Sequence, residues 1–399
     1  MTANQFSIAR DIKVYIEGYD AGIFTWGVSR WGGTDVWGTG GTYTWHNFAC
    51  DVYRVETQSG YNLLDGVLSR PEIGTATIQL RGSAVDPYND GRLRPNVRIQ
   101  IRAVINPDTS PTEEILWTGK IFSTESTYDK DGNTFTILNC VDVLQSMLST
   151  KIDSWVQTAG RSSYYLIDRF ATAVEANSGV LSTDWDYSTS SGNFSYFDAF
   201  NDVYAQGVDI LNPILDGEGG FLVIRRDGTP KFYGRNSVEA SPTPRLKLTS
   251  SVPVAANECA YSEIAISYDS LNTFNAVTAT LISNYAIQAT ARNQDSIDLL
   301  GERSTYFSLP LLDQTNIDNF VTDISLVSPG IGVSSITFPV VSRIGLINQY
   351  AIRQEVNEMI DVYFDNGNIT YNQASFVNMV SHTIDADNWL ITLNVWKGI

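Results

Sequence analysis

Histidine is the first residue type to consider, because imidazole is the side chain most often used for acid–base catalysis and for metal binding near neutral pH. The chain has two, His46 and His382. Neither has the sequence neighbours of a Ser-His-Asp triad or of a histidine-rich metal site. Both lie in segments typical of structural positions, an aromatic loop and an alternating strand. We therefore predict no histidine-based catalytic or metal site.

Carboxylates alone could still cleave a glycosidic bond, since a glycosidase needs only two aspartates or glutamates. With 44 acidic residues in the chain, any pair could be proposed and none is singled out. The sequence contains no phosphate-binding loop, nucleophile elbow, zinc-protease or dinucleotide-binding motif. We predict that the protein is not an enzyme, with no catalytic residue, no cofactor and no bound metal.

The three cysteines give no sign of redox or metal chemistry. Cys50, Cys140 and Cys259 are odd in number and far apart in sequence, which excludes a CxxC metal module and argues against a disulfide scaffold. We interpret them as small buried hydrophobic residues of a protein made in a reducing cytosol.

Size and charge limit the remaining classes. The 399 residues correspond to two to four domains, and 43% hydrophobic residues are enough for a sizeable core. The net charge of −18 repels phosphate and argues against specific nucleic-acid recognition. No apolar stretch is long enough to span a membrane, and no secretion signal precedes the first strand.

The first 150 residues have the period of two that indicates half-buried strands. In the segment 97–103, Val97, Ile99, Ile101 and Ala103 alternate with Arg98, Gln100 and Arg102, which are predicted to face away from the core. Other strands are predicted over 75–81, 116–122 and 134–140. Gly119 indicates a bulge or a close backbone approach. Asp131-Gly132 between two β segments predicts a hairpin.

Helical spacing appears after residue 142. A helix is predicted from Ser163 to a stop at Gly179, and a second, short helix near Asp198 with Phe200, Val203 and Tyr204 inward. Asp227-Gly228 predicts another hairpin between 220–224 and 230–233.

The β pattern returns from about residue 258, interrupted by a helix that Thr315 is predicted to cap. Its inward residues would be Ile317, Phe320, Val321 and Ile324. The predicted late strands cover 264–266, 275–281, 333–341, 359–364, 376–384 and 389–396. The order is therefore a β region, a small α/β insertion and a second β region.

Several segments together resemble a known family. They are ATIQLRG (76–82), NDGRLRPNVRIQIRAVI (89–105), ILWTGKIFSTESTYDKDGNTFTILNCVDVLQSM (115–147), GGFLVIRRDGTPKFYGR (219–235), YSEIAISYD (261–269), LLGERS (299–304) and HTIDADNWLITLNV (382–395). In this order they resemble the baseplate or tail-tip hub proteins of tailed bacteriophages, which are related to the trimeric hub of contractile tails and of type VI secretion spikes. The nearest likeness is to minor tail proteins of long-tailed phages.

The resemblance implies a mainly β fold with α+β insertions, in which a small α/β domain separates two tube-like β-barrel domains. The expected ranges are 1–150 for the first barrel domain, 151–245 for the α/β insertion and 246–399 for the second barrel domain, whose accessory helix lies at about 313–328. Three copies of such a chain present six similar barrels, which would match a sixfold tail tube to a threefold tip.

The resemblance also implies a function and partners. The chain would be a structural virion protein, a homotrimeric tail-tip hub that forms part of the DNA ejection channel and touches DNA only in non-specific passage. Its partners would be a distal tail or tail tube protein, the tape-measure protein, and tip fibre or receptor-binding proteins. It would be assembled in the host cytoplasm and located in the virion.

Residues 24–45 have no counterpart in the family pattern. They hold four of the nine tryptophans, Trp26, Trp31, Trp37 and Trp45, together with six glycines. The segment is interpreted as a subunit-interface arm, as packing inside its own barrel, or as a glycan contact, because tryptophan suits all three roles. Arg98 and Arg102 are two further candidate interface residues, on a polar strand face.

Two other functions stay open from the sequence. One is a tail-associated carbohydrate-binding or glycan-degrading protein, which the tryptophan-rich segment or a carboxylate pair would serve. The other is the hub of a contractile injection or gene-transfer particle, which sequence separates poorly from a phage hub.

Overall fold

The computed structural model describes most of the chain and confirms that the fold is mainly β with helical insertions. The described residues are 12–19, 43–48, 51–64, 68–82, 91–105, 112–130, 134–188, 195–199, 201–235, 246–250, 255, 257–267, 274–325, 332–340, 349–365, 367, 370–385 and 387–396.

Strands precede the first helix. Strands β1 to β7 are Ile12–Tyr19, Tyr43–Phe48, Asp51–Leu64, Leu68–Arg81, Arg98–Ile105, Thr112–Tyr128 and Thr134–Val141. Helices α1 to α6 are Val143–Ser149, Ser163–Ser178, Gly207–Glu218, Gln294–Leu300, Gln314–Ser325 and Gln349–Ile352. Strands β8 to β24 are Lys151–Val156, Arg161–Ser162, Asp186–Ser188, Tyr196–Phe197, Asn201–Gln206, Phe221–Ile224, Pro230–Tyr233, Leu246–Thr249, Glu258–Ala260, Glu263–Ser267, Ala276–Leu281, Gln288–Arg292, Ser304–Leu309, Gly332–Pro339, Met359–Asp365, Thr370–Ile384 and Trp389–Trp396.

Contacts divide the chain into two compact units that are interleaved in sequence. Unit one comprises residues 1–57, 75–141 and 383–389, and unit two comprises 58–74, 142–382 and 390–399. The three domains predicted from the sequence, 1–150, 151–245 and 246–399, remain a prediction.

Unit one is built on an antiparallel sheet with the strand order β4-β7-β6-β5-β1-β2. Ile99, Ile101 and Ala103 of β5 point to one side of the sheet and are fully buried there. Strands β6 and β7 pair antiparallel up to Tyr128 and Thr134, as the hairpin prediction requires, and the predicted turn residues Asp131 and Gly132 lie outside the described residues. Over the described residues the pairing is an open path, not a closed ring.

Unit two combines several smaller sheets with the helices. Helices α1, α2, α3 and α5 share one hydrophobic cluster with strands of the sheets β10-β14-β13 and β19-β18-β20. Elsewhere in the unit, β15 lies between β16 and β22 in parallel, β22 pairs with β23, and β21 lies between β17 and β24. The last strand buries Trp389, Ile391, Leu393 and Val395 on one face, as the sequence predicts.

The helix predicted from Ser163 to Gly179 is confirmed as α2. Its first turn is capped by the Ser162 side chain, and Gly179 ends it in the left-handed region at φ 72°. The hairpin at Asp227-Gly228 is also confirmed, between β13 and β14.

The short helix predicted near Asp198 is wrong. Residues 201–206 form β12, which pairs antiparallel with β8, and Tyr204 has a left-handed φ of 64° with its ring 67% exposed. A tyrosine in that region cannot continue a right-handed helix. The helix lies further on, as α3, where the Gln206 backbone N–H donates to Asp209 Oδ2 at 2.9 Å.

The predicted helix at 313–328 is confirmed as α5, with a different cap. Thr315 lies inside the helix, and the Asn316 N–H donates to Asp313 Oδ1 at 3.1 Å. Ile317, Phe320 and Val321 are buried as predicted, and the side chain of Ile324 lies outside the described residues.

Two buried carboxylates position the helices of unit two. Asp142 caps α1: its Oδ1 accepts from Leu144 N at 3.0 Å and its Oδ2 from Gly74 N at 2.8 Å. Glu218 accepts from the Ser163 hydroxyl at 2.7 Å, which anchors the start of α2 to the end of α3. Burial raises the pKa of both carboxyls, and for Asp142 to about 7, although the backbone N–H groups lower it.

Asp142 predicts a pH-dependent stability. A folded-state pKa of about 7, above the ordinary value of 3.8, means that the folded chain binds the proton more tightly than the unfolded chain. The contribution of Asp142 is therefore greatest below about pH 4 and is lost as pH rises towards 7. We expect the free energy of unfolding of wild type, relative to Asp142→Asn, to rise by on the order of a few kcal/mol between pH 8 and pH 5.

Urea unfolding at the two pH values measures this difference. The matched control is Asp153→Asn, which makes the same substitution at an exposed position of β8 in place of the buried one. A difference between wild type and Asp142→Asn that stays constant from pH 8 to pH 5 would contradict the assignment.

Candidate functional site

The predicted site residues that the structure describes, Trp45, Arg98 and Arg102, lie on one face of the sheet formed by β2, β1, β5 and β6 in unit one. Charged and aromatic side chains are concentrated on this face. These strands are antiparallel, so residues that pair directly share one face of the sheet. The face opposite it is apolar, with Val14 and Ile16 of β1 buried. We call the accessible side the polar face and describe it as three rows running across the strands.

The first row contains Trp45, Glu17, Arg98 and Lys120. Trp45 pairs with Glu17, and Arg98 pairs with Lys120. The Arg98 guanidinium donates to Glu17 Oε1 at 2.8 Å, and its Cζ lies 5.5 Å from the centre of the Trp45 ring. Burial and the neighbouring positive charge of Arg98 lower the pKa of Lys120, while Glu17 partly offsets this. The row is therefore an ion-paired, cation–π arrangement with an arginine at its centre.

The second row lies between the two charged rows, and its side chains are buried. Gln100 Nε2 donates to Thr118 Oγ1 at 3.0 Å, and both side chains are almost completely buried. Arg102 Nε donates to Gln100 Oε1 at 2.6 Å. As predicted, Gln100 lies on the face of β5 opposite Ile99 and Ile101, and its neighbours on that face cover its amide and satisfy it.

The third row is organised around Glu113. Its carboxylate accepts from Lys13 Nζ at 2.7 Å, from the Tyr15 hydroxyl at 2.7 Å and from Arg102 Nη1 at 3.3 Å. The Arg102 Cζ lies 4.1 Å from the centre of the Tyr15 ring. Burial alone would raise the pKa of Glu113, but the bonds from Lys13 and Tyr15 outweigh it and lower the pKa below its usual range. The hydrogen bond from Lys13 to Glu113 raises the pKa of that ammonium.

The rows carry more positive than negative charge in a chain whose net charge is −18. The cationic side chains are Lys13, Arg98, Arg102 and Lys120, and the carboxylates are Glu17 and Glu113. The ion pairs Lys13–Glu113, Arg98–Glu17 and Arg102–Glu113 are all partly exposed, so their contribution to stability is modest. What the pairs fix is the orientation of the two stacked guanidinium groups.

The predicted interface residues are thus only partly placed together. Arg98 meets Trp45, whereas Arg102 belongs to the Glu113 row on the same face. Trp26, Trp31 and Trp37 lie outside the described residues. The sequence prediction misses Tyr15, Glu17 and Glu113. A signal for β1 was present, because in residues 12–17 the polar side chains Lys13, Tyr15 and Glu17 alternate with apolar ones and so share one face of the strand.

The histidines and cysteines stand apart from this face. His382 is buried in unit two, where burial and the nearby charge of Arg226 lower its pKa to about 4. His46 lies exposed on β2. Cys140 and Cys259 are buried, and burial raises the pKa of the Cys259 thiol to about 12. Cys50 lies outside the described residues.

Neither a metal-binding cluster nor a membrane-spanning helix occurs in the part of the chain that the structure describes. There, no group of three or more histidine, cysteine, aspartate and glutamate side chains could hold a metal ion. Within the same residues, no helix combines the length and the apolar character needed to cross a lipid bilayer.

Comparison by sequence gives no relative: no family model and no curated protein matches the chain. Comparison by structure gives clear matches. A tail protein from Neisseria meningitidis MC58 matches with a TM-score of 0.61 at 13% identity, over 89% of this chain and 94% of the other. The prophage MuSo2 43 kDa tail protein from Shewanella oneidensis matches with a TM-score of 0.56 at 9% identity, over 97% and 98% of the two chains.

A chain of the half-lidded Francisella PdpA–VgrG complex also matches. The TM-score is 0.52 at 10% identity, over 96% of this chain and 57% of the other. The resemblance read from the sequence segments is confirmed at the level of the fold: this chain has a baseplate or tail-tip hub-like fold.

Proposed function

We propose that this chain, with its hub-like fold, is a structural protein of a bacteriophage tail, located at the tail tip or baseplate. The observation that carries the proposal is the match to two tail proteins over nearly their whole length and nearly the whole of this chain. A likeness of that extent leaves little of the chain for a separate catalytic domain. In this role the chain is not an enzyme, and its work is to hold neighbouring tail proteins in place.

The finer proposal is a homotrimeric hub. Three chains would each contribute two tube-like domains and so adapt a sixfold tail tube to a threefold tip around the DNA ejection channel. Its neighbours would be the distal tail or tail tube protein, the tape-measure protein, and tip fibre or receptor-binding proteins. DNA would touch it only in passage. Assembly would take place in the host cytoplasm before the hub enters the virion.

The polar face of unit one supports an interface role in this assembly. Strand β2 is the terminal strand of the described path, and an uncovered strand edge invites pairing with another chain. Trp45 and Arg98 stand beside that edge, and tryptophan and arginine are the residues most enriched in binding hot spots. We propose that the subunit interface includes Trp45, Arg98 and Arg102, together with Trp26, Trp31 and Trp37.

Substitutions at this face test the interface. We expect Trp45→Ala combined with Arg98→Ala to leave the chain folded but to weaken trimer formation at least about tenfold, since loss of one hot spot costs about 2 kcal/mol or more. Mass measurement under native conditions over a dilution series reads out the change. Tyr53→Ala, an exposed aromatic of β3, is the matched control and should not alter the oligomer. Equal dissociation in both variants would contradict the interface.

Averaged electron-microscope images of the particle test the broader proposal. The chain should appear as threefold density at the tail tip, between the tube and the fibres. If it is monomeric and never enters virions, the hub proposal fails, whatever the interface variants show.

A second candidate function is the hub of a contractile injection or gene-transfer particle. The observation that favours it is the match to the Francisella complex over almost the whole of this chain. Genes beside the coding sequence separate the two: a long tape-measure gene directly upstream favours a long-tailed phage, and sheath genes favour a contractile particle.

A further inference from the structure

A second charged and aromatic surface lies in unit two. It consists of Arg161, Tyr164, Tyr165 and Arg169 around the first turns of α2, with Val156 at the end of β8. We call it the α2 patch. Val156 is 54% exposed, and Tyr164 and Tyr165 are 37% and 41% exposed. Large side chains exposed together in this way are typical of protein-binding surfaces.

The two arginines of the patch are oriented by aromatic rings and not by carboxylates. The Arg161 Cζ lies 4.7 Å from the centre of the Tyr165 ring, and its Nε donates to Thr158 Oγ1 at 3.3 Å. The Arg169 Cζ lies 4.6 Å from the centre of the buried Trp155 ring, and its Nη1 donates to the Val156 carbonyl. Each guanidinium is thus held in place with further N–H donors left over.

The charge of the patch is positive and uncompensated among the described ion pairs. None of those pairs includes Arg161 or Arg169, whereas most arginines elsewhere in the described chain bind a carboxylate. The acid next to Arg169, Asp168, accepts from the Tyr187 hydroxyl at 3.4 Å. The first turn of α2 contains no acidic residue, so the positive end of the helix dipole adds to the potential. A chain of net charge −18 keeps this local excess of positive charge exposed.

We infer that the α2 patch binds an extended acidic segment of a partner protein. Arginine matches carboxylate through paired N–H donors, and its stacking on tyrosine and tryptophan reduces the entropy lost on binding. Tyr165, on which Arg161 stacks, and Arg169 are four residues apart in α2, a rise of about 6 Å, close to the roughly 6.6 Å between alternate side chains of an extended chain. Carboxylates at alternate positions would reach the two guanidinium groups, and an apolar residue beside them would cover Val156. This inference uses unit two alone and is independent of the proposed function.

Selection of short random peptides on the full chain tests the inference. We expect the enriched peptides to carry acidic residues at alternate positions beside an apolar residue. Their affinity, measured by fluorescence anisotropy, should fall with added salt. It should drop at least about tenfold in Arg161→Ala, because that variant loses the charge-assisted hydrogen bonds to a peptide carboxylate.

Three controls show whether the loss of binding is specific to the arginines of the patch and to the acidic residues of the peptide. Arg292→Ala removes an exposed arginine that is ion-paired with Glu302 at 3.2 Å, and it should leave affinity within about twofold. Arg169→Lys keeps the charge but loses the planar stack on Trp155, and it should weaken binding with the fold intact by circular dichroism. Peptides with asparagine in place of aspartate should bind at least about tenfold more weakly.

Three outcomes would overturn the inference. The first is enrichment of peptides without acidic residues, or no enrichment at all. The second is unchanged affinity in Arg161→Ala. The third is competition by a single-stranded oligonucleotide at the same concentration as the acidic peptide, which would make the patch a phosphate-binding surface.

Discussion

Replacing Ile99 by aspartate should leave the chain unable to reach a stable folded state. Ile99 is fully buried near the start of β5, where it pairs with Ile16 of β1 and Gly119 of β6. A carboxylate at this position would lie on the apolar side of the sheet with no cation opposite it. Burying an unpaired charge costs several kcal/mol, which is comparable to the whole free energy of unfolding of many domains. We expect Ile99→Asp to accumulate in the insoluble fraction.

The control uses the same new residue on the other side of the same sheet. Thr75 of β4 is exposed, so Thr75→Asp adds the same charge without burying it and should change the free energy of unfolding by less than about 0.5 kcal/mol. Soluble yield and urea unfolding followed by circular dichroism compare the two. Equal solubility and equal midpoints would show that the β5 alternation does not define a core.

Gly119→Ala should also be strongly destabilising, for a steric reason. A Cβ atom at position 119 would lie 2.1 Å from Cη2 of the buried Trp117 ring and 2.4 Å from the Val141 carbonyl oxygen. One neighbour is a packed indole and the other is backbone of the adjacent strand, so neither can give way cheaply. Overpacking of an interior costs typically about 1–3 kcal/mol, and we expect this variant to lose at least the upper value.

A double substitution separates the clash from a general effect of alanine. Trp117→Phe removes the outer atoms of the indole, so the combination with Gly119→Ala should be less destabilised than the sum of the single variants. The rescue should be partial because the Val141 carbonyl oxygen remains. Urea unfolding of the four chains gives the coupling energy. Strict additivity would contradict the contact between the Cβ position and the indole.

Local patterns predict much of this fold because they follow from single elements. The alternation in β5 is a property of a strand with one buried face, and the sequence displays it directly. Helix α2 begins beside serines and ends at Gly179, and both signals act within the helix itself. Gly119 is predicted as a bulge or close approach, and the close approach is confirmed.

Features that depend on distant residues escape prediction. The alternation places Gln100 on the polar face of β5, but its burial there depends on Thr118 and Arg102, which bond to its amide. Asp142 is one of 44 acidic residues, and only the fold brings Gly74 to its carboxylate. The region after Asp198 has apolar spacing that fits a helix, but pairing with β8 makes it a strand. Tertiary pairing outweighs local spacing in such cases.

In the candidate site, too, the local features could be predicted from the sequence and the contacts between distant residues could not. Arg98 and Arg102 can be placed on one strand face from the sequence, because they are four positions apart and side chains of a strand alternate between its two faces. Their partners Glu17 and Glu113 come from other strands, and their pairing depends on register, which the sequence does not state. The α2 patch is invisible beforehand for the same reason, since β8 and α2 bring its members together.

The interleaving of the two units has a consequence for how the protein is made. Unit one needs residues 383–389 as well as its early segments, so a ribosome must synthesise nearly all of unit two before unit one can be completed. Contacts between residues so far apart in sequence form slowly. Until they form, the early strands keep unpaired edges that can pair with other chains. A chaperone that shields nascent strands should therefore raise the yield of this protein more than that of a chain whose domains follow one another in sequence.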